Sequence, residues 1–107
     1  MELERARLLT SRAGRAAVED ADPALALLAP HLLVERLRRA HPVEVAAAVA
    51  EQLVLRKACE QRLGQLPLAL FSREGLEVMT HPAVAARRAR RLAQLGLPHL
   101  DLTCGLG

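Results

Sequence analysis

Apolar side chains recur at helical spacing through the middle of the chain, and the longest such segment covers residues 42–63. Within it, Val45, Val49 and Leu53 are spaced by four, and beside them lie Ala46, Ala50 and Val54. This spacing places one broad apolar stripe on a single helix face, and Gly64 follows where a helix terminator is expected. We therefore predict a long helix packed against a core. Four of its polar side chains are expected in solvent, namely Glu51, Arg56, Lys57 and Glu60.

Shorter helices are predicted on both sides, because each begins with a polar residue or a proline that suits a helix N-terminus. Their predicted ranges are 11–20 after the cap residue Thr10, 24–29 after Asp22 and Pro23, 31–40 after Pro30, a short turn through 73–76 after Ser72, and 83–95 after His81 and Pro82. In the last of them, apolar residues line one face and the other face is basic: the apolar set is Val84, Ala85, Ala89, Leu92 and Ala93. The fold class predicted for residues 1–96 is all-α, a compact bundle of five or six helices.

The composition agrees with a single helical domain. The 107 residues include 22 leucines and 20 alanines, and the sole aromatic residue is Phe71. A hydrophobic content of 51% with 25% charged residues is typical of a chain that buries a core. At this length the core is modest, and there is too little chain for an enzyme with a large substrate cleft.

Several classes of site lack support in the sequence. No apolar run approaches the roughly 18 residues that span a membrane, and the N-terminus lacks the pattern of an export signal. Cys59 and Cys104 form no CxxC pair, which fits a reducing compartment, so we expect a cytoplasmic protein.

The four histidines lie far apart, with no cysteine or carboxylate at ligand spacing. We therefore expect no metal site, and no catalytic residue is assignable.

The candidate binding surface is the arginine-rich face of the predicted helix 83–95. Arg87, Arg88, Arg90 and Arg91 spread over about 160° when each residue advances the helix by about 100°. Such a wide cationic face suits a phosphate backbone. A basic face that is merely solvated is the alternative, and the net charge of +3 makes the overall electrostatic attraction mild.

The C-terminal residues differ in kind from the helical part. A short apolar segment from Leu97 leads into the run D-L-T-C-G-L-G at positions 101–107. A strand that ends in an acidic residue and turns through glycines is how doubly wound folds bring backbone close to a nucleotide-like ligand. Taken alone, the run is more often a C-terminal tail whose glycines let it fray.

A longer stretch gives this run a context. Together with the segments before it, the run resembles part of class I S-adenosylmethionine-dependent methyltransferases. The segments that carry this resemblance are F-S-R-E-G-L-E-V-M-T-H-P at 71–82, the arginine-rich helix, and D-x-x-C-G-x-G at 101–107. The nearest resemblance is to trimethylguanosine synthase-like proteins and to bacterial methyltransferases with a THUMP-like domain. It covers residues 66–107 closely and the preceding helices more loosely. The resemblance implies that residues 97–107 are the start of a Rossmann-like domain, namely its first strand and cofactor loop.

The resemblance also implies roles for individual residues. Asp101 would end the first strand, and the loop beneath the methionine part of S-adenosylmethionine would contain Cys104, Gly105 and Gly107. Thr80 and Pro82 would lie near the same pocket, and the segment that closes over it would contain Arg73 and Glu74. Arg87, Arg88 and Arg91 would contact an RNA substrate. Thr103 departs from the commoner motif, which has glycine there.

The remaining strands of such a domain would have to follow Gly107. The resemblance therefore implies the N-terminal helical region of a longer methyltransferase. This region would position an RNA substrate against a downstream catalytic domain and would be inactive as this fragment, with S-adenosylmethionine bound only by the full-length protein. The alternative is a freestanding helical module that binds nucleic acid or a partner protein, in which the glycine-rich run is incidental.

Overall fold

The computed structural model describes residues 3–64 and 70–102, and all regular secondary structure in these ranges is helical. The α-helices are α1 (Leu3–Thr10), α2 (Arg12–Glu19), α3 (Pro30–Arg38), α4 (Val43–Leu63), α5 (Arg73–Glu77) and α6 (Pro82–Leu95). A 3-10 helix, Pro23–Leu27, replaces the α-helix expected over 24–29. The prediction of an all-α fold with five or six helices is confirmed for the described residues.

Ser11 forms the joint between α1 and α2. Its backbone N–H donates to the Arg7 carbonyl (3.1 Å), and its hydroxyl donates to the Leu8 carbonyl (2.6 Å). The same hydroxyl oxygen accepts from the Gly14 N–H (3.1 Å), which is the interaction of an N-cap residue. The prediction that Thr10 caps this helix is wrong by one position, because Thr10 belongs to the last turn of α1.

Gly14 lets α1 and α2 approach each other closely. It is buried in α2, and a Cβ atom added there would overlap the Leu8 carbonyl oxygen and lie 2.8 Å from the Leu8 carbonyl carbon. Both atoms belong to the backbone of α1, which has no rotamer by which to move aside. The sharp turn between the two helices therefore depends on the missing side chain.

α4 is the central helix of the fold, since it contacts α1, α2, α3, the 3-10 helix and α5. Ala46 and Val49 are completely buried and pack in one cluster with Leu9 of α1 and Leu33 of α3. The helices packed on several sides bury more of α4 than a single stripe would. Gln52 and Arg56 are consequently buried.

Three further positions on α4 differ from the expectation of one apolar stripe and one wet face. Lys57, expected in solvent, is half-buried. Val54, which lies beside the predicted stripe, is exposed. Glu51, expected in solvent, is half-buried and forms an ion pair with Arg5 of α1. The pair is partly exposed, so it contributes little to stability.

A second, smaller cluster lies toward the C-terminal end of α4. The cluster consists of Leu55, Cys59, Phe71 and Leu76. It therefore joins α4 to α5 and to the segment that precedes α5. Ser72 caps α5 as predicted, and its hydroxyl oxygen accepts from the Gly75 N–H (3.0 Å).

α6 lies outside the core, which corrects the expectation of a compact bundle. None of its residues is buried, and Val84, Leu92 and Leu95 are 50%, 37% and 63% exposed. The described chain measures 52 × 25 × 21 Å, with a radius of gyration of 16.1 Å, against about 13 Å for a compact domain of this size. The apolar face predicted for α6 consists largely of alanines, which offer little area to bury.

The segment after α6 has no regular secondary structure as far as the structure describes it, over residues 97–102. Leu100 and Leu102 are exposed. The strand and loop implied by the methyltransferase resemblance continue into residues 103–107, which lie outside the described ranges.

Candidate nucleic-acid interface

Local capping defines both ends of α6. The His81 imidazole Nδ1 accepts a hydrogen bond from the Ala83 N–H (3.2 Å), and Pro82 occupies the first turn, where its missing N–H costs nothing. Gly96 ends the helix in the left-handed conformation with φ of 63°. His99 then folds back, with its Nε2 atom 3.0 Å from the Leu92 carbonyl oxygen. These contacts stabilise a helix that has no buried residue.

α6 is strongly cationic. Four of its fourteen residues are arginines and none is acidic. Arg87, Arg88, Arg90 and Arg91 are all exposed, so their guanidinium groups are accessible to a ligand. Arginine matches phosphate oxygens geometrically, because its planar group donates two parallel hydrogen bonds.

A row of four side chains lies along one side of the arginine arc, and it includes Val84, which was predicted on the apolar face. Val84, Arg88, Arg91 and Leu95 follow one another at spacings of four, three and four, which keeps them within about 60° of one another around the helix over roughly 16 Å of its length. They line an open hollow of about 720 Å³ together with Arg87, Leu92 and Gln94. We call this row and its neighbour Arg87 the α6 arginine surface.

The structure brings together some of the sequence-predicted site residues and separates others. Arg87, Arg88 and Arg91 share the α6 arginine surface. Four predicted residues do not line it: Arg73 and Glu74 are exposed in the first turn of α5, Thr80 is half-buried between α5 and α6, and Asp101 is exposed after α6. The remaining predictions, Cys104, Gly105 and Gly107, lie outside the described residues.

Two polar residues that the sequence reasoning missed hold the segment in front of α6. The buried Gln52 donates from Nε2 to the Phe71 carbonyl (2.6 Å) and accepts from the Phe71 N–H at Oε1 (2.9 Å). Arg62 donates to the Leu76 carbonyl in α5 (2.6 Å). A glutamine among the apolar positions of α4 was the available signal, since a buried amide requires partners. The sequence did not indicate that its partner would be the backbone of Phe71, nineteen residues later.

Cys59 is completely buried within the second cluster. Burial raises the pKa of its thiol, and the nearby Arg62 charge opposes that rise to a smaller extent. The folded chain therefore keeps this thiol protonated to higher pH than the unfolded chain does. Its contribution to stability is fully present at neutral pH and is lost as the pH rises toward the raised pKa.

We expect Cys59 to resist thiol reagents until the chain unfolds. In a Cys104→Ser background, dithionitrobenzoate should label Cys59 slowly at pH 7.5 and rapidly in denaturing urea, because the native thiol is both inaccessible and neutral. The check is the absorbance of released thionitrobenzoate over time. Labelling at the same rate in both conditions would contradict the buried position.

The described residues contain no group of three or more histidine, cysteine or acidic side chains arranged to hold a metal ion. Within the same part of the chain, no helix combines the length and the apolar character needed to cross a membrane. The chain matches no protein-family model, no curated protein and no solved structure.

Proposed function

We propose that the chain is a helical accessory region that binds RNA through the α6 arginine surface and positions it for a methyltransferase domain. The observation that carries the RNA part is a helix with four exposed arginines and no acidic residue, lying outside the core. The methyltransferase part is supported by the resemblance of residues 101–107 to a cofactor motif.

The exposure of α6 supports a binding role. A helix that contributes nothing to the core is free to present its arginines, and its own caps keep them on a regular scaffold. Each phosphate that an arginine neutralises releases condensed counterions, so a few arginines on one face are sufficient for measurable, salt-dependent affinity.

The order of elements along the chain supports a positioning role. Asp101 follows the end of α6 at Leu95 by only six residues. In a methyltransferase, RNA held on α6 would therefore lie close to the cofactor loop. S-adenosylmethionine would supply the methyl group from its sulfonium to a nucleophilic nitrogen. The contribution of the described residues is proximity: they bind the RNA and limit its freedom.

The test compares two variants that remove equal charge. In the first, Arg87, Arg88 and Arg91 are changed to glutamine; in the second, the exposed Arg12, Arg15 and Arg38 are changed in the same way. Binding of a fluorescein-labelled 15-nucleotide RNA is followed by anisotropy at low salt. We expect about a tenfold or greater loss of affinity for the first variant and less than about threefold for the second.

Two outcomes would contradict the proposal. An equal loss in both variants would show that net charge acts without a defined surface. No binding by the unaltered chain would favour the alternative of a module that binds a partner protein, to which the exposed Val84, Leu92 and Leu95 are suited. Far-UV circular dichroism serves as the control for folding, since arginine and glutamine have similar helix propensities.

A further inference from the structure

The phenylalanine, tyrosine and tryptophan rings on which RNA bases most often stack are missing from the accessible surface. Phe71 is the sole aromatic residue of the chain, and it is only 4% exposed. Its ring packs with Leu55, Cys59 and Leu76, while Gln52 binds both its N–H and its carbonyl. The ring therefore has no route to a base without disruption of the second cluster. Stacking on such a ring, a common means of binding single strands, is not available to this surface. The flat groups that remain beside it are its guanidinium planes and the imidazoles of His81 and His99, each of which forms a hydrogen bond with the backbone.

α6 also carries few groups that hydrogen-bond base edges selectively. Apart from its arginines, its one polar side chain is Gln94. It has no serine, threonine, asparagine, aspartate or glutamate, which supply most of the remaining polar contacts to bases and sugars. The available donors are guanidinium groups, and phosphate oxygens are the acceptors that every nucleotide offers.

Two binding partners are candidates for the row Val84, Arg88, Arg91 and Leu95, namely a second copy of the chain and a nucleic-acid backbone. The charge of the row favours one of them. Its spacing of four, three and four resembles the seam of a helix pair, so a second copy of the chain is a geometric candidate. Arg88 and Arg91 occupy the middle of that row, and a second copy would bring the same cations against them. A polyanion instead neutralises them. Charge complementarity therefore favours the phosphate backbone over self-association.

From these three observations we infer that the α6 arginine surface recognises the phosphate backbone of RNA without regard to base sequence. The inference rests on the proposed RNA-binding function and specifies its substrate class: any single strand whose phosphates reach Arg87, Arg88 and Arg91. Selection of the methylated position is left to groups outside this surface. The adjoining Arg90 brings the number of arginines on α6 to four.

The experiment measures the affinity of the unaltered chain for 15-mers of uridine and of cytidine, and for a mixed sequence, at four salt concentrations. We expect dissociation constants that agree within about threefold among the three RNAs. A plot of log affinity against log salt should have a slope no steeper than about −3, because four neutralised phosphates give about −0.7 each for single strands. In the Arg87→Gln, Arg88→Gln, Arg91→Gln variant the slope should flatten to about −1.

Two further measurements separate backbone recognition from its competitors. A 15-mer of single-stranded DNA with the mixed sequence should bind within about threefold of the RNA, since the phosphates are shared. Phe71→Leu, measured at a temperature where circular dichroism shows it folded, should bind like the unaltered chain. A stacking role would instead weaken binding about tenfold or more.

The outcomes distinguish this inference from the proposed function. A tenfold or greater preference for one RNA sequence, a tenfold preference for RNA over DNA, a salt slope unchanged by the triple substitution, or a tenfold loss in Phe71→Leu would overturn backbone recognition while RNA binding stood. Failure to bind any of the RNAs would overturn both. A dimer seen by analytical ultracentrifugation that dissociates in the triple variant would show that the row is an interface between copies.

Discussion

Gly14→Ala is expected to lower the free energy of unfolding by about 3 kcal/mol or more. The added methyl group would overlap the backbone of α1 at Leu8, so the two helices must separate or the turn between them must distort. Separation would also draw Leu9 out of the first cluster, where it is 1% exposed. Urea unfolding followed by circular dichroism at 222 nm measures the change.

The sign of the change in the free energy of unfolding distinguishes the overlap from ordinary helix propensity. In an unobstructed helix, alanine is about 1 kcal/mol more favourable than glycine, so without the overlap Gly14→Ala would stabilise the chain. The matched control is Ala13→Gly, at an exposed position of the same helix. It should lose only about 1 kcal/mol. A stabilising result for Gly14→Ala would refute the close approach of α1 and α2.

Gln52→Leu is expected to cost about 2 to 5 kcal/mol. Leucine has a similar size and keeps the site apolar, but it leaves the N–H and the carbonyl of Phe71 without their partner. Each unsatisfied buried group costs about 1–3 kcal/mol. The loss should fall mainly on the second cluster and α5, which depend on the position of Phe71. Hydrogen exchange resolved by fragment would show residues 70–77 losing protection before α1 and α3.

Gln61→Leu is the matched control, because Gln61 is an exposed glutamine on the same helix. Its substitution should change stability by no more than about 0.5 kcal/mol. Gln52→Glu adds a second check. Its ionised carboxylate can accept from the Phe71 N–H but cannot donate to the Phe71 carbonyl, so its deficit should shrink as the pH falls and protonation restores a donor. Equal deficits for the substitutions at positions 52 and 61 would contradict the two hydrogen bonds between Gln52 and the Phe71 backbone.

The sequence predicted the elements of the candidate interface but not their surroundings. The bounds of α6 followed from Pro82 and Gly96, and the arc of arginines followed from helical periodicity. These are local properties, since a cap or a proline acts on the adjacent turn. That α6 stays outside the core was not predictable, because its alanines and leucines have the same periodicity whether or not another helix covers them.

The same division applies to the fold as a whole. The sequence by itself determined the all-helical class, the end of α4 before Gly64 and the cap of α5 at Ser72, because capping and periodicity depend on neighbours within about one turn. The tertiary structure alone decided that Gln52 and Arg56 are buried and that Gly14 must lack a side chain. Those outcomes depend on contacts between residues distant in the chain. A pattern of polar and apolar positions records which side chains favour burial, whereas packing decides which of them are covered.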